Sequence, residues 1–172
     1  MAQFAVPLPD DYKWVGLTMF VLNFQCFLLG IIYINGKRGK TFTLDFMKNN
    51  FTDLIEDAFK IPVRKGGYPD TGNGWHANKL DYLSWLEFNT AQRSHLNFVE
   101  NLPAMTFLTM LAGLFYPLTA MALGVGLIAS RTIYILGYFL DNPAARFFGF
   151  IPMFTLIVGQ IGLTIAGIAK IF

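Results

Sequence analysis

The sequence predicts an all-α integral membrane protein built as a four-transmembrane-helix bundle. Hydrophobic residues make up 54% of its 172 positions and charged residues only 14%, against about 25% charged in an average soluble domain. Three stretches, 15–36, 102–130 and 147–169, contain no charged residue. Each matches or exceeds the ~20 apolar residues a helix needs to cross ~30 Å of hydrocarbon. The middle stretch is too long for one span and is interrupted at Tyr116-Pro117. Proline removes a backbone donor and disfavours helix in the residue before it, so this stretch divides into two helices.

The first span is expected over about 12–34, with Trp14 and Tyr33 placed as interfacial anchors. The segment before it carries Asp10, Asp11 and Lys13 in place of a basic n-region, and the apolar run is too long for a cleaved signal. The span is therefore expected to persist in the mature protein. Cys26, the one cysteine, lies inside it and reads as a small apolar core residue; an internal disulfide is excluded.

An extended polar connection, 35–83, comes next. Within 43–59, Met47, Phe51, Leu54, Ile55, Ala58 and Phe59 recur at helical spacing, with Asp53, Glu56 and Asp57 elsewhere. This is an amphipathic helix, suited to the membrane surface or to docking on protein. Its acidic residues disfavour anionic headgroups, so docking on this protein or on a partner is at least as good a reading. The glycines and Pro69-Asp70 of 64–74 mark a loop.

The second long helix is expected over 84–116, the third over 118–140 and the fourth over 145–170, giving a single four-helix membrane domain across 1–172. The second is longer than a membrane requires and polar in its first half, so it projects from the bilayer or lines a polar cleft. Gly124, Gly126, Ser130, Gly159, Gly162, Ala166 and Gly167 sit at spacings that let helix backbones approach closely in lipid. Bundle packing explains them.

The net charge of +2 and the lack of a basic block give no sign of a nucleic-acid partner. Lys37, Arg38, Lys40, Lys48, Lys60, Arg64, Lys65 and Lys79 crowd the first connection, and Arg146 occupies the last. The positive-inside rule puts both connections on the cytoplasmic or matrix side and both termini across the membrane. No retention or transit signal chooses between endoplasmic reticulum and mitochondrial membranes.

Ionisable residues at membrane depth are costly and usually functional. Arg93, Asn97 and Glu100 fall on one face of the second long helix, which Asn89 extends by a turn. Arg131, Tyr134 and Tyr138 fall on one face of the third, where Arg131 is the only charge near mid-helix and requires an anion. Glu100 alone would satisfy a purely structural tie. Two arginines, one carboxylate and two tyrosines leave a positive excess, which suits a ligand bearing carboxylates. His76 and His95 have no cysteine or carboxylate at metal-ligand spacing, so no metal is expected.

The stretch Arg93-Ser-His-Leu-Asn97-Phe-Val-Glu100 resembles the R-x-x-x-N-x-x-E signature of the MAPEG family, the membrane-associated proteins of eicosanoid and glutathione metabolism. Arg131-Thr-Ile-Tyr134-Ile-Leu-Gly137-Tyr138 resembles its R-x-x-Y-x-x-G-Y motif, and Asp141-Asn-Pro-Ala-Ala-Arg146 its last connection. Within the family the chain is similar to the microsomal glutathione S-transferases of the type 1 and type 3 branches.

The resemblance implies a homotrimer with glutathione as co-substrate, held between subunits by Arg93, Asn97 and Glu100 together with Arg131, Tyr134 and Tyr138 of a neighbour. Arg38 matches a basic position that members carry after the first span, and Arg146 matches the arginine that stabilises the thiolate. The implied reaction is conjugation of glutathione to lipophilic electrophiles, or reduction of lipid hydroperoxides, with substrate arriving from the bilayer. The alternative is a non-catalytic accessory or structural subunit of a larger membrane complex, docked through the 41–83 connection. That connection is longer than the family's usual one, and Asn101 stands where some members carry tyrosine.

Overall fold

The computed structural model describes residues 8–139 and 143–171. Among them every regular element is helical: α1 (Tyr12–Leu28), α2 (Asn35–Thr41), α3 (Leu44–Phe59), α4 (Tyr82–Gly113), α5 (Pro117–Phe139) and α6 (Phe147–Ile168). A π-helical stretch, Leu29–Ile34, joins α1 to α2, and short 3₁₀ turns cover Ala77–Lys79 and Pro143–Arg146.

Among the described residues, three segments are long and apolar enough to cross a membrane: Tyr12–Thr41, Pro117–Phe139 and Ala144–Ile168. These make the chain an integral membrane protein. The first helical segment runs to Thr41, beyond the end of the apolar run at Gly36. Nothing in Lys37-Arg-Gly-Lys-Thr breaks a helix, and Arg38 and Lys40 in the last turn complement its negative C-terminal dipole. Helix α4 has 32 residues, a length of about 48 Å at 1.5 Å per residue.

The chain divides into two compact units, one of residues 1–26 and 98–172, the other of residues 27–97. In the first unit Val15, Ala112 and Ala120 form a buried cluster with Tyr12, Met121 and Leu163 against it. The polar side chains there bond locally: Asn23 Nδ2 donates to the Met19 carbonyl at 2.8 Å and to Thr106 Oγ1 at 3.1 Å, and Gln25 Nε2 donates to Thr132 Oγ1 at 2.8 Å. Outward positions such as Phe20, Phe24, Phe107, Phe148, Phe154 and Ile165 are exposed and apolar, as lipid contact requires.

Glycine sets the α5–α6 approach. A Cβ on Gly149 would fall on the backbone of Ser130 and Tyr134, and one on Gly137 would come within 2.6 Å of the Arg146 backbone nitrogen. In lipid the hydrophobic effect does not drive helices together, so close backbone contact carries the association.

The second unit has a different core. Phe42, Met47, Phe51, Val63, Ala77 and Phe88 are buried together, with the Phe42 and Phe88 rings edge-on at 5.1 Å and Phe51 against His76 at 4.6 Å. Thr43 caps α3, its hydroxyl accepting from the Phe46 N–H at 3.2 Å. The 64–74 loop is organised by Asp70. Its Oδ1 accepts from the N–H groups of Gly72 (2.7 Å) and Gly74 (3.0 Å), and its Oδ2 from that of Ala77 (2.8 Å). Burial raises the pKa of this carboxyl, but the three donors and nearby His76 outweigh burial and hold it below the ordinary carboxylate value. Gly67, at φ +55°, lies where a Cβ would strike the Phe42 ring.

Candidate functional site

The candidate residues fall on both units, and each group is built by its own helix. On α5, Tyr134 and Tyr138 are one turn apart, with ring centroids at 5.2 Å and hydroxyl oxygens at 3.2 Å. Arg146, in the 3₁₀ turn before α6, donates from a terminal guanidinium nitrogen to the Tyr138 hydroxyl at 3.1 Å. Its guanidinium also lies 5.3 Å from the Phe147 ring centroid. The arrangement is a short polar chain, Tyr134 to Tyr138 to Arg146, at the C-terminal end of α5. Gly137 explains how Arg146 reaches it: only a residue without a side chain admits the Ala145–Arg146 backbone beside α5.

Arg131 sits one turn below Tyr134 and is 0% exposed. Its guanidinium lies 4.2 Å from the Phe98 ring centroid and 4.7 Å from that of Tyr134, and one terminal nitrogen reaches Met153 Sδ at 3.2 Å. Aromatic faces offer a cation the negative lobe of a quadrupole, which strengthens when water is excluded. Arg131 is thus packed as part of the bundle interior and supports the Tyr134 ring from beneath. The sequence pattern calls for an anion beside it and gives no warning of Phe98 or Met153. Phe98 lies inside the R-x-x-x-N-x-x-E stretch, so its register on α4 was available; Met153 lies in an uncharged run and carries no signal.

Helix α4 presents Arg93 and Glu100 exposed and Asn97 half-buried, on the shared face their spacing predicts. Asn89 instead ties the connection to α4, its Nδ2 donating to the Gly72 carbonyl at 2.7 Å and to the Trp85 carbonyl at 3.1 Å. Arg38 turns toward the connection in the same unit, donating to the Gly66 carbonyl at 3.0 Å with its guanidinium 5.4 Å from the Phe88 ring centroid. Asp141 and Asn142, which precede Arg146 in the last connection, lie outside the described residues.

Chemically, the α5–Arg146 chain offers a half-buried guanidinium bridged to hydroxyls, able to stabilise a developing anion at its open side. The α4 face offers one cation, one carboxylate and an amide, the inventory for gripping a zwitterionic peptide. The family model for the MAPEG family matches residues 14–166, which takes in both helix faces, Arg38 and Arg146, and the chain belongs to the MAPEG family.

Proposed function

We propose that the protein is a membrane-bound glutathione transferase or peroxidase of the microsomal type 1 and type 3 kind. The observation that carries the reading is the Arg146–Tyr138–Tyr134 chain, with its guanidinium held by a hydroxyl at 3.1 Å. A thiol of pKa about 8.5 is mostly protonated at neutral pH, and an adjacent guanidinium lowers that value. Arg146 would hold the glutathione thiolate, while Arg93, Asn97 and Glu100 grip its carboxylates and ammonium. Tyr138 would donate to the bound peptide, Tyr134 would set the Tyr138 hydroxyl, and Arg131 would act through Tyr134. Arg38 would add positive charge on the connection side.

The exposed polar face of α4 supports a homotrimer, in which a neighbouring copy covers Arg93 and Glu100 and encloses the peptide between subunits. In conjugation, the thiolate sulfur bonds to an electrophilic carbon as that carbon's leaving group departs, or as a proton is taken up after addition. In peroxide reduction, the thiolate takes the terminal oxygen of a lipid hydroperoxide, releasing the alcohol. A second glutathione then reduces the sulfenic acid to disulfide and water.

The test is glutathione binding by calorimetry on detergent-purified protein, with thiolate absorbance on the same sample. Arg146→Ala is expected to keep binding within a few-fold while losing the thiolate signal and about 100-fold or more in turnover. Unchanged turnover in that variant would remove Arg146 from the chemistry, and no binding at millimolar glutathione would sink the reading.

A further inference from the structure

The apolar stripe of α3 outruns the core that it helps to build. At about 100° per residue, Met47, Phe51, Ile55, Ala58 and Phe59 share one sector, flanked by Leu54. Met47 and Phe51 are buried in the second unit and Ile55 packs against them. The last turn is not covered: Leu54 is 57% exposed and Phe59 70%, and Ile61 just beyond is 47% exposed.

The charges are sorted around this stripe. Asp45, Asp53, Glu56 and Asp57, all exposed, project from the opposite side of the helix. Lys48 borders the stripe, Lys60 follows Phe59 directly, and Arg64 and Lys65 come four and five residues after Lys60. The cations therefore stand beside the uncovered apolar turn and the acids away from it. An acidic helix surface does not oppose lipid contact when the acids point away from the lipid.

Chain connection supplies the location. Helix α3 starts three residues after the end of the membrane-crossing segment Tyr12–Thr41. Phe42 and Thr43 are the only linker between them, and the Phe42 N–H donates to the Arg38 carbonyl at 2.9 Å while its own carbonyl accepts from Gly66. The helix is thus held to the end of the span, where Ile31 and Ile32 are exposed to the same apolar medium.

We propose that the last turn of α3, from Leu54 to Ile61, inserts into the headgroup–acyl boundary of the bilayer, with Lys48, Lys60, Arg64 and Lys65 on the phosphates. The connection is then a monotopic anchor added to the spanning helices, and its membrane contact is independent of the glutathione reading above. Amphipathic helices of this kind bury their apolar face about 5–10 Å into that boundary while lysine and arginine stems reach back to the surface.

The experiment uses the full-length protein in phosphatidylcholine nanodiscs. A nitroxide is placed at position 59 (Phe59→Cys) or at position 56 (Glu56→Cys), each in a Cys26→Ala background. Collision with oxygen and with a water-soluble nickel chelate is then measured for each label. The expected result is an oxygen-favoured label at 59, at a depth of about 5–10 Å, and a nickel-accessible label at 56. A nickel-accessible label at 59 overturns the proposal, because the turn is then in water. An immobilised label at 59 that meets neither reagent also overturns it, because a second copy or another protein then covers the turn. Leu54→Cys repeats the measurement if the label at 59 unfolds the connection, with protease resistance of 64–74 as the folding check.

Discussion

The α5–α6 pair and the connection between the first span and α4 hold themselves together by opposite means. In the helix pair the decisive atoms are missing ones: Gly149 and Gly137 leave room for backbone to meet backbone. In the connection the decisive atoms are bulky and polar ones, a Phe42–Phe88–Phe51 core and a carboxylate that satisfies three N–H groups. The contrast follows from solvent. Water rewards burying phenyl rings, so a short segment outside the hydrocarbon can fold around them. Lipid does not, and a bundle in lipid depends on close van der Waals approach.

The largest expected effect breaks the helix pair. Gly149→Ala puts a methyl group on the backbone of Ser130 and Tyr134, which no rotamer change relieves, so a loss of about 3 kcal/mol or more is expected. Thermal denaturation in detergent should show it, while protease cleavage within 64–74 stays at the wild-type rate. A variant that melts normally would mean that the helices are not held by that contact.

Phe42→Ala reverses the pattern. Removing a ring with 0% exposure costs about 3–5 kcal/mol in a well-packed core. Here the 64–74 loop should become protease-sensitive while melting of the spanning helices changes little. Equal damage to both would mean that the two kinds of packing are not separable.

Asp70 sharpens the comparison through pH. Its folded-state pKa lies below the ordinary value of about 3.9, so the unfolded state takes up protons first as pH falls. The stabilisation from its three N–H bonds is complete above about pH 5 and is lost progressively below pH 4. Hydrogen exchange at Gly72, Gly74 and Ala77 should accelerate over that range in wild type. Asp70→Asn should show fast exchange at all pH values, at a cost of about 1–3 kcal/mol; an unchanged acid profile in the variant would assign the transition to another group.

The smallest effect concerns Lys37 and Glu87, paired at 3.5 Å with Glu87 well exposed. Lys37→Ala should cost no more than about 0.5 kcal/mol and leave protease resistance of the connection within error. A larger loss would show that this surface pair clamps α2 onto α4.

Much of this was legible beforehand because it depends on residues close in the chain. Uncharged runs mark the spans, and the spacing of Met47, Phe51 and Ile55 marks α3. The positions of Arg93, Asn97 and Glu100 on one helix face follow from 3.6 residues per turn. Asp70 was hidden in plain view: Asp-Thr-Gly-Asn-Gly offers two glycine N–H groups to a turning carboxylate, but the third donor, Ala77, lies seven residues away.

The amino-acid sequence alone determined that this chain lives in a membrane, where its helices run, and which polar residues share a face. Those are properties of hydropathy and helical period, both local. Only the tertiary structure decided what each polar group meets. Arg131 was assigned Phe98, Tyr134 and Met153 by helix packing, and Arg38 was assigned the Gly66 carbonyl by the fold of the connection. Arg146 reaches Tyr138 because Gly137 lets two backbones nearly touch. A guanidinium's partner depends on which surfaces converge around it, and that convergence arises only when helices distant in the chain are packed together.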